Sequence, residues 1–195
     1  MFTGIIEKVE RISSVQKEGG NIRLRISSTL TPELKIDQSI AHNGVCLTVD
    51  QLHIDSYEVV AVEETLAKTN LSALESGDPV NIERCMMLND RLDGHMVQGH
   101  VDTVAKVRSV EERDGSWNFD FELESPSKLI VEKGSICING VSLTAFNVSD
   151  HGFRVTIIPY TYEHTTFHSL KEGDKVNLEF DIVGKYVQRM MSSES

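Results

Sequence analysis

Apolar and polar residues alternate over short stretches along most of the chain. Ile22, Leu24 and Ile26 are separated by polar residues, and Phe119, Phe121 and Leu123 likewise. Segments 142–148, 153–158 and 176–180 are strand-length runs rich in β-branched and aromatic side chains. A period of two places one apolar face on a core, so the pattern predicts β-strands. Gly77-Asp78 and Gly173-Asp174 mark turns before a final strand, and Asn43-Gly44 and Asn139-Gly140 are turn-capable as well. Helical signals are short, over 63–69, over 160–166 and in the final segment. In that last segment Val183, Val187, Met190 and Met191 fall at spacings of three and four, the apolar stripe of a helix.

The pattern occurs twice. Ser39-Ile-Ala-His-Asn-Gly-Val-Cys-Leu-Thr48 and Ser135-Ile-Cys-Ile-Asn-Gly-Val-Ser-Leu-Thr144 share seven of ten residues, at an offset of 142 − 46 = 96. The same offset carries Leu74–Glu83 onto Leu170–Glu179, Thr65 onto Thr161 and Thr69 onto Thr165. Gly4-Ile5-Ile6 falls on Gly99-His100-Val101 at an offset of 95. The chain is therefore a tandem duplication. The fold class expected is all-β: two tandem six-stranded Greek-key β-barrels, at 1–90 and 91–182, closed so that no sheet edges remain. The helix and tail at 183–195 have no counterpart after the first repeat. Their apolar stripe needs cover, either from the second barrel or, as we favour, from a neighbouring subunit.

A chain of 195 residues with 39% hydrophobic residues can build a real core, and its formal net charge of −11 argues against nucleic acid as a partner. No apolar run approaches the roughly 20 residues of a membrane span. The first residues carry no secretory signal pattern. Three widely spaced cysteines, Cys46, Cys85 and Cys137, fit reduced thiols in a cytoplasmic setting.

Chemistry concentrates at the repeat motif. Cys46 and Ser142 share one address, with Thr48 and Thr144 two positions on and so on the same strand face. A buried inert thiol and a turn hydroxyl are the bland alternatives. His95 and His100 lie in Leu92-Asp-Gly-His-Met-Val-Gln-Gly-His-Val-Asp102. With Asp93 and Asp102 they are metal-ligand types, but the spacing suits no common site and no metal is expected. A histidine titrating near neutral pH fits proton handling better.

These segments resemble the riboflavin synthase family. The resemblance rests on Met1-Phe-Thr-Gly-Ile-Ile6, Ala41-His-Asn-Gly-Val-Cys-Leu-Thr-Val49, Gly94-His-Met-Val-Gln-Gly-His100, Asn139-Gly-Val-Ser-Leu-Thr144 and Ile158-Pro-Tyr-Thr161, and it covers nearly the whole chain. It implies a cofactor-independent transferase that dismutates two molecules of 6,7-dimethyl-8-ribityllumazine to riboflavin and 5-amino-6-(ribitylamino)uracil, the last step of riboflavin biosynthesis. It also implies a homotrimer, held partly by the C-terminal helices, with active sites between the N-terminal barrel of one chain and the C-terminal barrel of the next.

Carried over position by position, the resemblance implies a first pocket of Gly4, Ile5, Ile6, Ser39, Cys46, Leu47, Thr48, Val60, Ala61, Val62 and Thr65. It implies a second of Gly99, His100, Val101, Lys133, Ser142, Leu143, Thr144, Thr156, Ile157, Ile158, Pro159, Tyr160 and Thr161. It also implies that Phe2 helps order the N-terminal segment over its site. His100, Ser142 and Thr144 are expected to handle protons or stabilise the anion, and Cys46 to serve the partner site. Asn139 stands where some relatives carry an acid, so no carboxylate base is available there. The alternative is a non-catalytic lumazine- or flavin-binding protein of the same fold, which is expected to have lost one pocket. A second alternative is an unrelated barrel, a flavin-dependent reductase module or a structural protein; the reductase would need a nicotinamide-binding half with a Gly-rich βαβ turn, and none is present.

Overall fold

The computed structural model describes residues 1–192, so Ser193–Ser195 of the expected tail lie outside the described residues. The first half holds β1 (Lys8–Glu18), β2 (Asn21–Ser27), β3 (Ser39–His42), β4 (Val45–Leu52), β5 (Ser56–Ala61) and β6 (Pro79–Arg84), with α1 (Glu63–Lys68) between the last two. Their order, β1-β2-β5-β4-β3-β6, closes into a six-stranded barrel because β1 pairs with both β2 and β6. A bulge between Ile12 and Ser14 bends β1 so that it can serve both neighbours.

The second half holds β7 (Thr103–Arg113), β8 (Ser116–Leu123), β9 (Ser135–Ile138), β10 (Val141–Thr144), β11 (Phe146–Ser149), β12 (Gly152–Ile157) and β13 (Lys175–Phe180), with α2 (Pro159–His164) before β13. The bulge recurs in β7 between Val107 and Ser109. One difference separates the halves. The counterpart of β4 is broken at Ala145 into β10 and β11, so the second half is a curled seven-stranded sheet, β10-β9-β13-β7-β8-β12-β11, where six closed strands were expected. Its two edges are consecutive pieces of one stretch of chain. The break follows from a local distortion: Asn147 takes a positive φ of 49°, and the β11–β12 register shifts between Phe146 and Ser149. The address is otherwise kept. Lys133 N–H donates to the Ala145 carbonyl as Asp37 N–H does to that of Val49.

Each half has its own apolar core. Leu24, Ile26, Val49, Tyr57, Val59 and Ile82 fill the first, and Phe119, Phe121, Val155, Phe167 and Leu178 the second. The cores are not copies. His42 is fully buried in the first half, with Nε2 2.8 Å from the Tyr57 hydroxyl, where the 96-residue offset places Ile138 and Phe153 in the second.

The halves meet reciprocally. Asn81 Nδ2 donates to the Asn139 carbonyl and Asn177 Nδ2 to the Asn43 carbonyl, both at 2.8 Å. Asn43 Oδ1 accepts from Asn81 N–H and Asn139 Oδ1 from Asn177 N–H. Asn139 is thus a buried structural link at the junction of the halves, which explains why an amide serves there. A third cluster, of Phe2, Ala41, Val97 and Cys137 with Cys46 and Cys85 against it, joins the halves, and all three thiols are free.

The third helix, α3 (Ile182–Ser192), follows the second sheet. Its start is tied down by a 2.5 Å pair between Lys185 and Asp102. Val183, Val187, Met190 and Met191 remain at least half exposed, so the predicted stripe is not covered by the second half. No helix among the described residues is long and apolar enough to cross a membrane.

Candidate active site

Each half carries a hollow beside its repeat motif. The first, of about 320 Å³, is lined by Asp37, Cys46, Leu47, Thr48, Val49, Asp50, Val60, Val62 and Thr65. The second, of about 370 Å³, is lined by Lys133, Ser142, Leu143, Thr144, Phe146, Thr156, Ile158 and Thr161. The two walls correspond at the offset of 96, which also reveals residues the sequence reading passed over. Asp37 is the counterpart of Lys133, and Asp50 that of Phe146. The two hollows therefore differ in charge at a shared address.

Ser39 pairs with Thr48 across β3 and β4. Ala61 and Ile157 are buried core residues, since alternate strand positions face inward. Pro159 and Tyr160 open α2, with Tyr160 exposed and its ring stacked on His164. Lys133 holds a positive φ of 64°, and its ammonium lies 5.1 Å from the Phe146 ring centre.

The structure corrects the sequence assignment of the two glycine segments. Gly4–Ile6 packs against the motif of the second half and Gly99–Val101 against that of the first, the reverse of the expected pairing. Ser142 N–H donates to the Gly4 carbonyl at 2.8 Å, and Cys46 N–H to the Gly99 carbonyl at 2.9 Å. Ile6 packs on the second-half core and Val101 on the first. The approach is close enough to demand glycine. An added Cβ would lie 2.6 Å from the Ser142 Cβ at Gly4 and 2.5 Å from the Cys46 Cβ at Gly99, and both residues have φ near +80°.

Two buried carboxylates hold these arms. Glu83 accepts from Thr3 N–H, the Thr3 hydroxyl and Gly4 N–H. Glu179, its counterpart, accepts from Gln98, Gly99 and His100 N–H at 2.7–2.9 Å. Burial pushes both carboxyl groups above the usual range, and these hydrogen bonds pull them back. Phe2, fully buried and paired with Val97 through both backbone hydrogen bonds, pins the N-terminal arm.

The histidines separate. His100 lies on the first-pocket arm and is exposed. His95, passed over in favour of His100, is buried behind the second hollow's wall, with its Nδ1 2.6 Å from Oγ of Ser142, which lines that hollow. Cys46 is half-buried, and burial pushes its thiol up, with Ser39 opposing the shift. Among the described residues no group of three or more His, Cys, Asp or Glu side chains could hold a metal ion. Asp102 is committed to Lys185 and to Phe180 N–H.

Comparison with known proteins agrees with the duplication. The lumazine binding domain family matches residues 3–85 and again 98–181. The chain is 41% identical to the riboflavin synthase of Actinobacillus pleuropneumoniae, over 98% of its own length and 90% of the relative's. It is 39% identical to that of Bacillus subtilis at the same coverage, and 37% identical to that of Saccharomyces cerevisiae over 98% of this chain and 86% of the relative. The crystal structure of LumP complexed with riboflavin superposes with a TM-score of 0.84 at 24% identity, covering 92% of this chain and 99% of the other. At that identity it speaks for the fold alone. The duplicated motif, the paired hollows and the full-length matches lead to one conclusion: this chain belongs to the lumazine-binding family, among the riboflavin synthases.

Proposed function

We propose that the chain is a riboflavin synthase, a transferase that moves a four-carbon unit from one 6,7-dimethyl-8-ribityllumazine to a second, yielding riboflavin and 5-amino-6-(ribitylamino)uracil. The observation that carries this reading is the pair of hollows at one address in the two halves, both retained, with Cys46 and Thr48 in one and Ser142 and Thr144 in the other. A dismutation needs two like sites for two like molecules, one donor and one acceptor. Holding both rings in register supplies the orientation that solution lacks. The acidic ring methyl of a lumazine then needs proton transfer and stabilisation of the developing anion. Ser142 and Thr144 are the residues proposed for those tasks in one hollow, and Cys46, with His100 on the arm beside it, in the partner hollow. The substrate dismutates, so the reading calls for no separate cofactor.

The donor–acceptor pair forms, in this reading, between the first half of one chain and the second half of its neighbour in a homotrimer. The exposed stripe of α3 supports an oligomer by giving it an apolar face to bury. A cytoplasmic setting is proposed with it, consistent with three free thiols.

The test is incubation of the purified protein with 6,7-dimethyl-8-ribityllumazine while riboflavin fluorescence is followed. Catalytic formation of riboflavin is expected. Tight binding without turnover would overturn the enzyme reading in favour of a ligand-binding protein.

A further inference from the structure

The two hollows share a frame but not a proton path. At the Cys46 address of the first, the neighbouring side chain is the Ser39 hydroxyl. At the Ser142 address of the second, a ring nitrogen stands within hydrogen-bond distance: His95 Nδ1 to Ser142 Oγ, 2.6 Å. His95 is buried, and its backbone N–H donates to the Thr3 carbonyl at 3.1 Å, so the ring is held from the arm that covers Ser142. We propose, on the reading above, that His95 acts through Ser142: the hydroxyl donates to Nδ1, its oxygen faces the bound ring, and a proton taken by that oxygen is passed on to the imidazole.

The step balances. A carbon–hydrogen bond of the ring methyl breaks and its electron pair delocalises into the heterocycle. Its proton forms a new O–H bond on Ser142, while the original hydroxyl proton moves to Nδ1 and leaves an imidazolium. The same proton is returned to the departing diaminopyrimidine nitrogen when its bond to carbon breaks, so no external reagent is consumed. Burial pushes the His95 imidazole toward the neutral form, which can accept a proton, and Asp181 opposes that shift. The second hollow is thereby the one in which the ring methyl is deprotonated.

The test uses the full chain and three variants, His95→Ala, Ser142→Ala and the double, with His95→Asn added. The amide of Asn keeps an acceptor near the Nδ1 position but cannot hold the proton. Expected are a kcat at least tenfold lower for His95→Ala, riboflavin affinity within twofold of the parent, and no recovery in His95→Asn. In the Ser142→Ala background, His95→Ala should change kcat less than twofold, because the two act in series. Full recovery in His95→Asn, or effects that multiply in the double variant, would overturn the proposal. A second readout does not depend on turnover. The ¹⁵N shifts of His95 in the resting protein should show Nδ1 as the unprotonated nitrogen, and a protonated Nδ1 in a neutral ring would overturn the proposal even if the synthase reading stands. A parent protein without turnover would instead refute the synthase reading.

Discussion

The buried His42–Tyr57 pair should make the first barrel acid-sensitive, and the second half shows how to remove that sensitivity. His42 is fully buried, with Nδ1 3.1 Å from the Ile40 carbonyl and Nε2 2.8 Å from the Tyr57 hydroxyl. A carbonyl only accepts, so Nδ1 carries the hydrogen and neutral Nε2 accepts from Tyr57. Burial lowers the His42 pKa from 6.5 to about 4. Between those values the unfolded chain binds the proton and the folded one does not, so stability falls as pH falls. The loss is about 2 kcal/mol at pH 5 and about 0.2 kcal/mol at pH 7, a difference of about 1.8 kcal/mol from this one group. Exchanging the pair for its second-half counterpart, His42→Ile with Tyr57→Phe, keeps the shape and removes both polar partners together. That swap should be near neutral at pH 7. Either single substitution strands a buried partner and should cost about 1–3 kcal/mol. The assay is urea unfolding of parent and double variant at pH 7 and pH 5. Other titrating groups are common to both proteins and cancel in the comparison. The parent should lose about 1.8 kcal/mol more than the double variant on acidification; pH dependences that coincide within about 0.5 kcal/mol would refute the assignment of a neutral, buried His42.

Three further outcomes are expected. Gly4→Ala and Gly99→Ala should each destabilise by at least about 2 kcal/mol in thermal or chemical melts, because a left-handed backbone and a close Cβ contact act together; parent-like melting would show that the arms can shift. Deleting 185–195 should dissociate the oligomer in sedimentation while leaving β-structure by circular dichroism, since the strands end at Phe180; an intact, fully active trimer would remove α3 from the interface. Co-refolding one variant damaged at Cys46 and Thr48 with another damaged at Ser142 and Thr144 should restore up to about a third of the sites in mixed cyclic trimers. Mixed trimers verified by mass that stay inactive would place each site within a single chain.

The duplication and the strands are legible in the amino-acid sequence because their signals are local or repeated, whereas the pocket residues come from the resemblance to a known family. Alternation over five or six residues sets a strand face, as in Ile22, Leu24 and Ile26, all buried in the first core. The constant offset then carries Cys46, Thr48 and Thr65 onto Ser142, Thr144 and Thr161. Applied to Lys133, it also finds Asp37. Other features needed the tertiary structure. The 95-residue offset pairs Gly4 with Gly99 equally well whether each arm stays on its own half or crosses to the other. Only long-range packing, with Glu83 and Glu179 holding the arms and Phe2 seated on Val97, selects the crossed arrangement. The broken strand at Ala145 reflects one left-handed residue, Asn147, that the repeat does not announce. His95 and His100 look equivalent in sequence, five residues apart on one loop. Their fates diverge because the fold brings Ser142, 47 residues away, against the first and leaves the second on the opposite arm. Periodicity reports which face of an element is buried; which distant element arrives to bury it is decided by the packing of the two halves as a whole.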